Sequence, residues 1–162
     1  MSKRRRTVVS SAKDLQCGDH IFWPISAKET HCGNVRWRHH AIVVAWKGDN
    51  TIKIIHVTTR KNEQSYEVRE HCLNFYYHIN EGKLWRYDYD PQDVYEPDEV
   101  IARARSKLGH FSYNKILNNC RHFVLWCKFM VNKPFQRLKS TMTTIDLNDI
   151  SVELPKKQIR FC

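Results

Sequence analysis

Two runs of β-branched and apolar residues, 38–46 and 51–58, are separated only by Lys47-Gly48-Asp49-Asn50. A turn-forming tetrapeptide between two such runs commits the chain to an antiparallel hairpin, because Gly and Asx residues accept the backbone angles of a tight reversal. The hairpin carries chemistry as well as shape. His39 and His40 lie near the start of its first strand, and His56 lies near the end of its second. With the turn centred near Gly48-Asp49, residues around 41–42 fall opposite His56. His39 and His56 then lie within about two residues of each other across the ladder and are neighbours if their faces match. Side chains alternate along a strand, so His40 points to the opposite face from His39.

The rest of the chain fits around this hairpin as an α+β domain. Leu15 to Pro24 reads as a turn at Gly18-Asp19 followed by a short strand, and residues 25–36 read as a loop. Residues 59–68 are polar. The stretches 66–79 and 84–89 alternate well enough for two further strands, joined near Asn80-Glu81-Gly82. Pro97 at a first-turn position, Asp98 and Glu99 behind it, and Arg103, Arg105 and Lys107 before Gly109 predict a helix over 98–108. Strands followed by two helices give an antiparallel sheet packed against helices. Residues 1–13 read as a flexible basic arm opening with Lys3-Arg4-Arg5-Arg6; nuclear localisation or lipid-surface binding are other readings of that run. Residues 133–162, interrupted by Pro134 and Pro155, read as an extended C-terminal extension.

Composition narrows the class. At 162 residues the chain is one domain with enough sequence for a real core. No run approaches the roughly 18 to 20 apolar residues that span a bilayer, and nothing reads as a secretory leader. Six cysteines without an export signal are expected to be reduced thiols in a cytoplasmic setting. The net charge of +10 suits an anionic partner: RNA, DNA or the anionic face of a membrane. The spacings Cys17-x-x-His20, His31-Cys32, His71-Cys72 and Cys120-x-His122 lack the pairing of a zinc finger, ribbon or knuckle. No metal and no other cofactor is expected.

The second informative stretch is Asn118-Asn119-Cys120-Arg121-His122-Phe123-Val124. A polar loop turns there into a helix, with Phe123, Val124 and Cys127 at i+3, i+4 and i+7 from Cys120 on one buried stripe. Cys120 falls in the first helical turn, where unpaired N–H groups and the positive dipole end favour an anion. That placement lowers a thiol pKa and makes a better nucleophile. Nucleophilic catalysis also needs a base and a group to orient it, and the hairpin histidines are the candidates. Only one of His39 and His40 can face Cys120. His122 lies roughly 200° around the helix from Cys120 and reads as a packing or surface residue. His20, His31, His71, His78 and His110 show no pattern that singles them out.

Arg38-His39-His40-Ala41-Ile42-Val43-Val44, then His56, then Asn119-Cys120-Arg121-His122-Phe123-Val124 resembles the lecithin:retinol acyltransferase-like family, which includes the phospholipase A/acyltransferase proteins. The resemblance runs from about Asp14 to Phe129. It takes in Gly18-Asp19 with its hydrophobic strand and Tyr95-Glu96-Pro97 with the helix behind it. It implies a permuted papain-like (NlpC-type) thiol fold and a catalytic domain over 14–132. It further implies Cys120 as nucleophile, His39 as general base and His56 as the second, orienting histidine. The implied chemistry is a thioester: the thiolate attacks a phospholipid ester, and the acyl group passes to water, an amine, a lysolipid or an alcohol. Backbone N–H groups at the start of the Cys120 helix are expected to stabilise the oxyanion. The implied partners are a phospholipid acyl donor, an acyl acceptor and, peripherally, an anionic membrane surface. Family members often carry Glu after the cysteine where this chain has Arg121, and many end in an apolar anchoring helix absent from residues 156–162. The alternative is a non-enzymatic role of the viral histidine-box type, in host interaction or RNA binding.

Overall fold

The computed structural model describes residues 4–25, 37–59, 65–114 and 117–130. Among them, β1 (Arg5–Val8), β2 (His20–Ile25), β3 (Trp37–Gly48), β4 (Thr51–Thr59), β5 (Tyr66–Asn74), β6 (Trp85–Asp88) and β7 (Gly109–Phe111) form one sheet. The strand order is β1-β6-β2-β3-β4-β5-β7, and all pairings are antiparallel. Helices α1 (Tyr76–Asn80), α2 (Pro97–Arg105) and α3 (Cys120–Lys128) complete the α+β architecture.

The expected hairpin is the centre of the sheet. Ala41 pairs with His56, Ile42 with Ile55 and Val43 with Ile54. Gly48 and Asp49 both take positive φ at the reversal (108° and 46°), the conformation the Gly-Asp pair supplies most cheaply. Register shifts between Val43 and Ala45 and between Trp46 and Gly48 bulge β3 before the turn.

Both sheet faces are buried, and alternation sorts the hairpin between them. Ala41, Val43, Ile52 and Ile54 join Ile21, Trp23 and Leu73 on one face, covered by Val9, Ala12, Leu15, Phe75 and Leu84. Ile42, Ile55, Val57 and Val68 belong to the other face, covered by Val100, Ile101 and Ala104 of α2 and Cys120, Phe123, Val124 and Cys127 of α3. Each fully buried aliphatic side chain contributes about 1.5–3 kcal/mol, so the two faces anchor the hairpin from both sides.

Three segments differ from the sequence expectation. Residues 5–8, read as part of a flexible arm, form β1 on β6, with Arg4 stacked 3.5 Å over the Tyr87 ring and Thr7 Oγ1 donating to Asp88 at 2.6 Å. Ala12 is fully buried beyond it. The run 66–79 is not one strand: Asn74 Oδ1 accepts from the backbone N of Tyr76, the buried Phe75 anchors the corner, and α1 follows. Gly109–Phe111, read as the start of a loop, adds strand β7 to β5. The C-terminal extension and the loops at 26–36 and 60–64 lie outside the described residues.

The helix predicted over 98–108 runs from Pro97 to Arg105, with Pro at its first turn. It holds α3 through Arg103, whose Nη2 donates to the Trp126 carbonyl at 3.0 Å and whose guanidinium lies 4.1 Å from the Trp126 ring. The far end of α3 is fixed to the opening turn, where Lys128 Nζ donates to the Gly18 carbonyl at 2.9 Å.

Candidate active site

Cys120 is the first residue of α3 and is only 2% exposed. Asn119 caps the helix from an extended conformation (φ −115°, ψ −177°). Its Oδ1 accepts from the backbone N of Arg121 at 3.1 Å and of His122 at 3.2 Å, while its own N donates to His122 Nδ1 at 3.2 Å. This reciprocal capping box explains both the Asn-Cys pair and His122, which serves as its far half. The N–H groups of Arg121 and His122 are therefore committed to the cap.

Four of the histidines facing the sheet interior are fully or almost fully buried, and they fall into two chains. On the Ala41 face, His39 Nε2 lies 2.8 Å from His56 Nδ1, and His56 Nε2 lies 2.9 Å from His71 Nδ1. Trp23 packs edge-on against His39 with ring centres 4.9 Å apart. The expected neighbourhood of His39 and His56 is present, extended by His71. On the Ile42 face, His20 Nε2 lies 2.8 Å from His40 Nδ1, and His20 Nδ1 lies 2.7 Å from the Tyr89 hydroxyl. Register produces this second chain: His20 pairs with Ile42, and Phe22 with His40, so all four share one side of the sheet.

Burial sets the charge of these rings. It pushes His39 down to about 3 and His71 to about 4, with Arg69 adding to the effect at His71. His56 is held well below the ordinary imidazole value by burial and then by its neighbours His39 and His71. Burial also lowers His20, followed by the positive charges of Arg4, Arg121 and Lys128, and it lowers His40, followed by His20 and Arg121. At neutral pH burial leaves all five rings uncharged.

Cys120 packs with Ile42, Ile55 and Val57. It therefore belongs to the sheet face of His40 and His20, while His39, His56 and His71 lie with Ala41 on the other. The electrostatics agree: buried Arg121, next to Cys120, acts on His20 and His40, and the pressures on His39 and His56 come from elsewhere. Sequence reasoning established that one of His39 and His40 must face the cysteine; it missed His20, His71 and Tyr89. His20 opens a strand directly after the Gly18-Asp19 turn, and pairing that strand with the hairpin would have exposed its alignment with His40.

A helix-start cysteine lies beside a sheet that carries hydrogen-bonded imidazoles, the residue types that nucleophilic thiol chemistry uses. The chain belongs to the lecithin retinol acyltransferase family, whose description matches residues 13–133. No curated protein and no solved structure shows a significant match. Among the described residues, no helix is long and apolar enough to cross a membrane.

Proposed function

We propose that this protein is a thiol acyltransferase or phospholipase that forms an acyl-thioester on Cys120. The observation that carries this reading is the placement of Cys120 at a capped helix start, against a sheet face holding neutral, hydrogen-bonded imidazoles, in a chain of the lecithin retinol acyltransferase family. The thiolate attacks the carbonyl of a phospholipid ester, the acyl carbon passes from oxygen to sulfur, and the lysolipid leaves with a proton returned by a histidine. Water, an amine, a lysolipid or an alcohol then takes the acyl group. Burial of the thiol suits this chemistry, because an acyl chain delivered to a dry site leaves its thioester shielded from indiscriminate hydrolysis.

Arg121 replaces the acidic residue common at this position in the family. Its buried positive charge beside Cys120 supports a thiolate and a developing oxyanion, and it helps keep His20 and His40 neutral. The excess of basic residues suits peripheral contact with an anionic membrane, from which the donor lipid is drawn.

The test is turnover of phosphatidylcholine vesicles, with and without anionic lipid, by wild type and Cys120→Ala. Release of lysolipid by wild type and none by the variant is the expected result. Equal behaviour of the two proteins removes the enzymatic reading. A salt-dependent RNA shift without lipid turnover would instead support the binding role.

A further inference from the structure

The geometry points to the outward side of α3, together with the turn that leads into it, as a docking surface for an anionic phospholipid bilayer. This inference rests on the acyl-thioester reading and specifies where the donor lipid is met. Three large apolar side chains stand in solvent along the stretch of chain around Cys120: Leu108 at 47% exposure, Leu117 at 77% and Trp126 at 39%. A single exposed hydrophobe needs no explanation, but a group of them beside a reactive residue marks a contact surface. Leu117 is held outward by its own turn. Its backbone N donates to Asn114 Oδ1 at 2.9 Å, Asn114 and Asn118 exchange backbone bonds at 2.8 and 3.0 Å, and Asn118 Nδ2 donates to the Ser112 carbonyl at 2.6 Å. The residue that follows, Asn119, is the cap of α3. A leucine fixed in solvent by the turn that leads to Cys120 has already lost the backbone freedom that insertion into a lipid surface would otherwise take from it.

The charge around these residues fits the headgroup side of such a surface. Trp126 shares a helical stripe with His122, one turn further along and off the buried stripe of Cys120, Phe123, Val124 and Cys127. The Arg103 guanidinium lies 4.1 Å from the centre of its ring and the Lys107 ammonium 5.0 Å. Neither cation joins an ion pair among the described residues, while Arg105 between them is held by Glu70 at 2.9 Å. An indole flanked by cations suits a bilayer interface. The ring sits at headgroup depth, and the long cationic side chains reach the lipid anions while their stems stay on apolar surface. The acidic residues of α2, Asp98 and Glu99, lie in its first turn, so the end that leads through Lys107 to Leu108 carries one sign of charge. The other group of exposed aromatics, Trp46 near the hairpin reversal with Tyr76 and Tyr77 of α1, lacks that asymmetry. Lys47 and Lys83 there are matched in sequence by Asp49 and Glu81, and the Trp46 indole N–H already donates to the Asp49 carbonyl at 2.9 Å. That group serves as the internal control.

The experiment measures partition of the full chain onto phosphatidylcholine vesicles, with and without phosphatidylserine, by co-sedimentation of wild type, Leu117→Ser, Lys107→Glu and Tyr77→Ser. Wild type should bind the phosphatidylserine vesicles more tightly, and added salt should shrink the difference. Leu117→Ser should weaken binding about tenfold. Lys107→Glu should weaken it at least about fivefold, and only on the anionic vesicles. Tyr77→Ser should bind as wild type does. Quenching of tryptophan fluorescence by lipid with brominated chains gives a second reading that does not depend on weakened binding: Trp126→Phe should lose a share of the quenching that Trp46→Phe keeps. Vesicle binding that is unchanged in Leu117→Ser and Lys107→Glu, or lost in Tyr77→Ser in their place, overturns the assignment, as does a wild type that does not prefer anionic vesicles. A salt-dependent RNA shift weakened in those two variants while vesicle binding holds makes this a nucleic-acid face and overturns the assignment as well. Lysolipid released from vesicles equally by wild type, Leu117→Ser and Lys107→Glu sinks this inference and leaves the proposed function standing. Docking that follows the expected pattern while phosphatidylcholine yields neither lysolipid nor acyl adduct sinks the proposed function alone.

Discussion

Replacing Asn119 by Ala tests the device that presents Cys120. The Asn119 side chain accepts two backbone N–H groups at a helix start that is 4% exposed at the cap itself, so water does not readily take its place. Loss of an N-cap costs about 1 kcal/mol and up to about 2, and an unsatisfied buried donor adds a cost on the order of 1 kcal/mol or more. The expected destabilisation is about 2 kcal/mol, which for a domain of this length lowers Tm by about 4–8 °C. Amide hydrogen exchange locates the effect. The Arg121 and His122 amides should lose protection, whereas the Phe123 amide, bonded to the Asn119 backbone carbonyl, should keep more of it. Asn119→Asp retains both acceptors and places a carboxylate at the positive end of the helix dipole, so it should keep wild-type stability. A loss below about 0.5 kcal/mol in Asn119→Ala, or equal exchange at all three amides, refutes the capping account.

Stability should fall as pH drops from about 6.5 toward 4. The folded histidines titrate below their unfolded value, so the unfolded chain binds more protons across that window and stability rises with pH through it. Each buried imidazole adds a slope of up to about 1.4 kcal/mol per pH unit; a urea midpoint unchanged between pH 7 and 5 would contradict this. Gly18→Ala should be costly, because Gly18 holds φ +83° and an added Cβ would meet Pro97 Cα at 2.9 Å, whereas Gly82→Ala (φ +63°, open space around it) should lose only the smaller backbone cost. Thermal melts showing the two variants alike would refute the close approach. Glu70→Gln removes ion pairs to Arg105 at 2.9 Å and Lys53 at 3.2 Å at the surface, and the expected loss is below about 1 kcal/mol and shrinks with added salt.

The hairpin, the α+β class and the capped helix of Cys120 were legible in the sequence because each rests on local chemistry. Gly48-Asp49 dictates a reversal, Pro97-Asp98-Glu99 a helix start, and Asn119 a cap. What escaped depends on contacts distant in sequence. Arg5–Val8 becomes a strand only because β6, some eighty residues later, offers it an edge, and a run of arginines hides that tendency. Tyr66 to Ile79 alternates like a strand, but the buried Phe75 and the Asn74 side chain turn the chain before its end. The histidines show the same division. Alternation places His39 and His40 on opposite faces with certainty, yet which face meets α3 is decided by helix packing over Ile42, Ile55 and Val57. The motif names a cysteine and a histidine box; the register of β2 against β3 brings in His20, and β6 leads the chain to Tyr89.

The most direct measurement of the central claim is the mass of the intact protein after incubation with phosphatidylcholine vesicles. The account predicts an added acyl mass, located to the peptide carrying Cys120, released by hydroxylamine and absent in Cys120→Ala. Lysolipid appearing with no adduct in wild type, even after rapid acid quench, or an adduct that persists in Cys120→Ala, would contradict it.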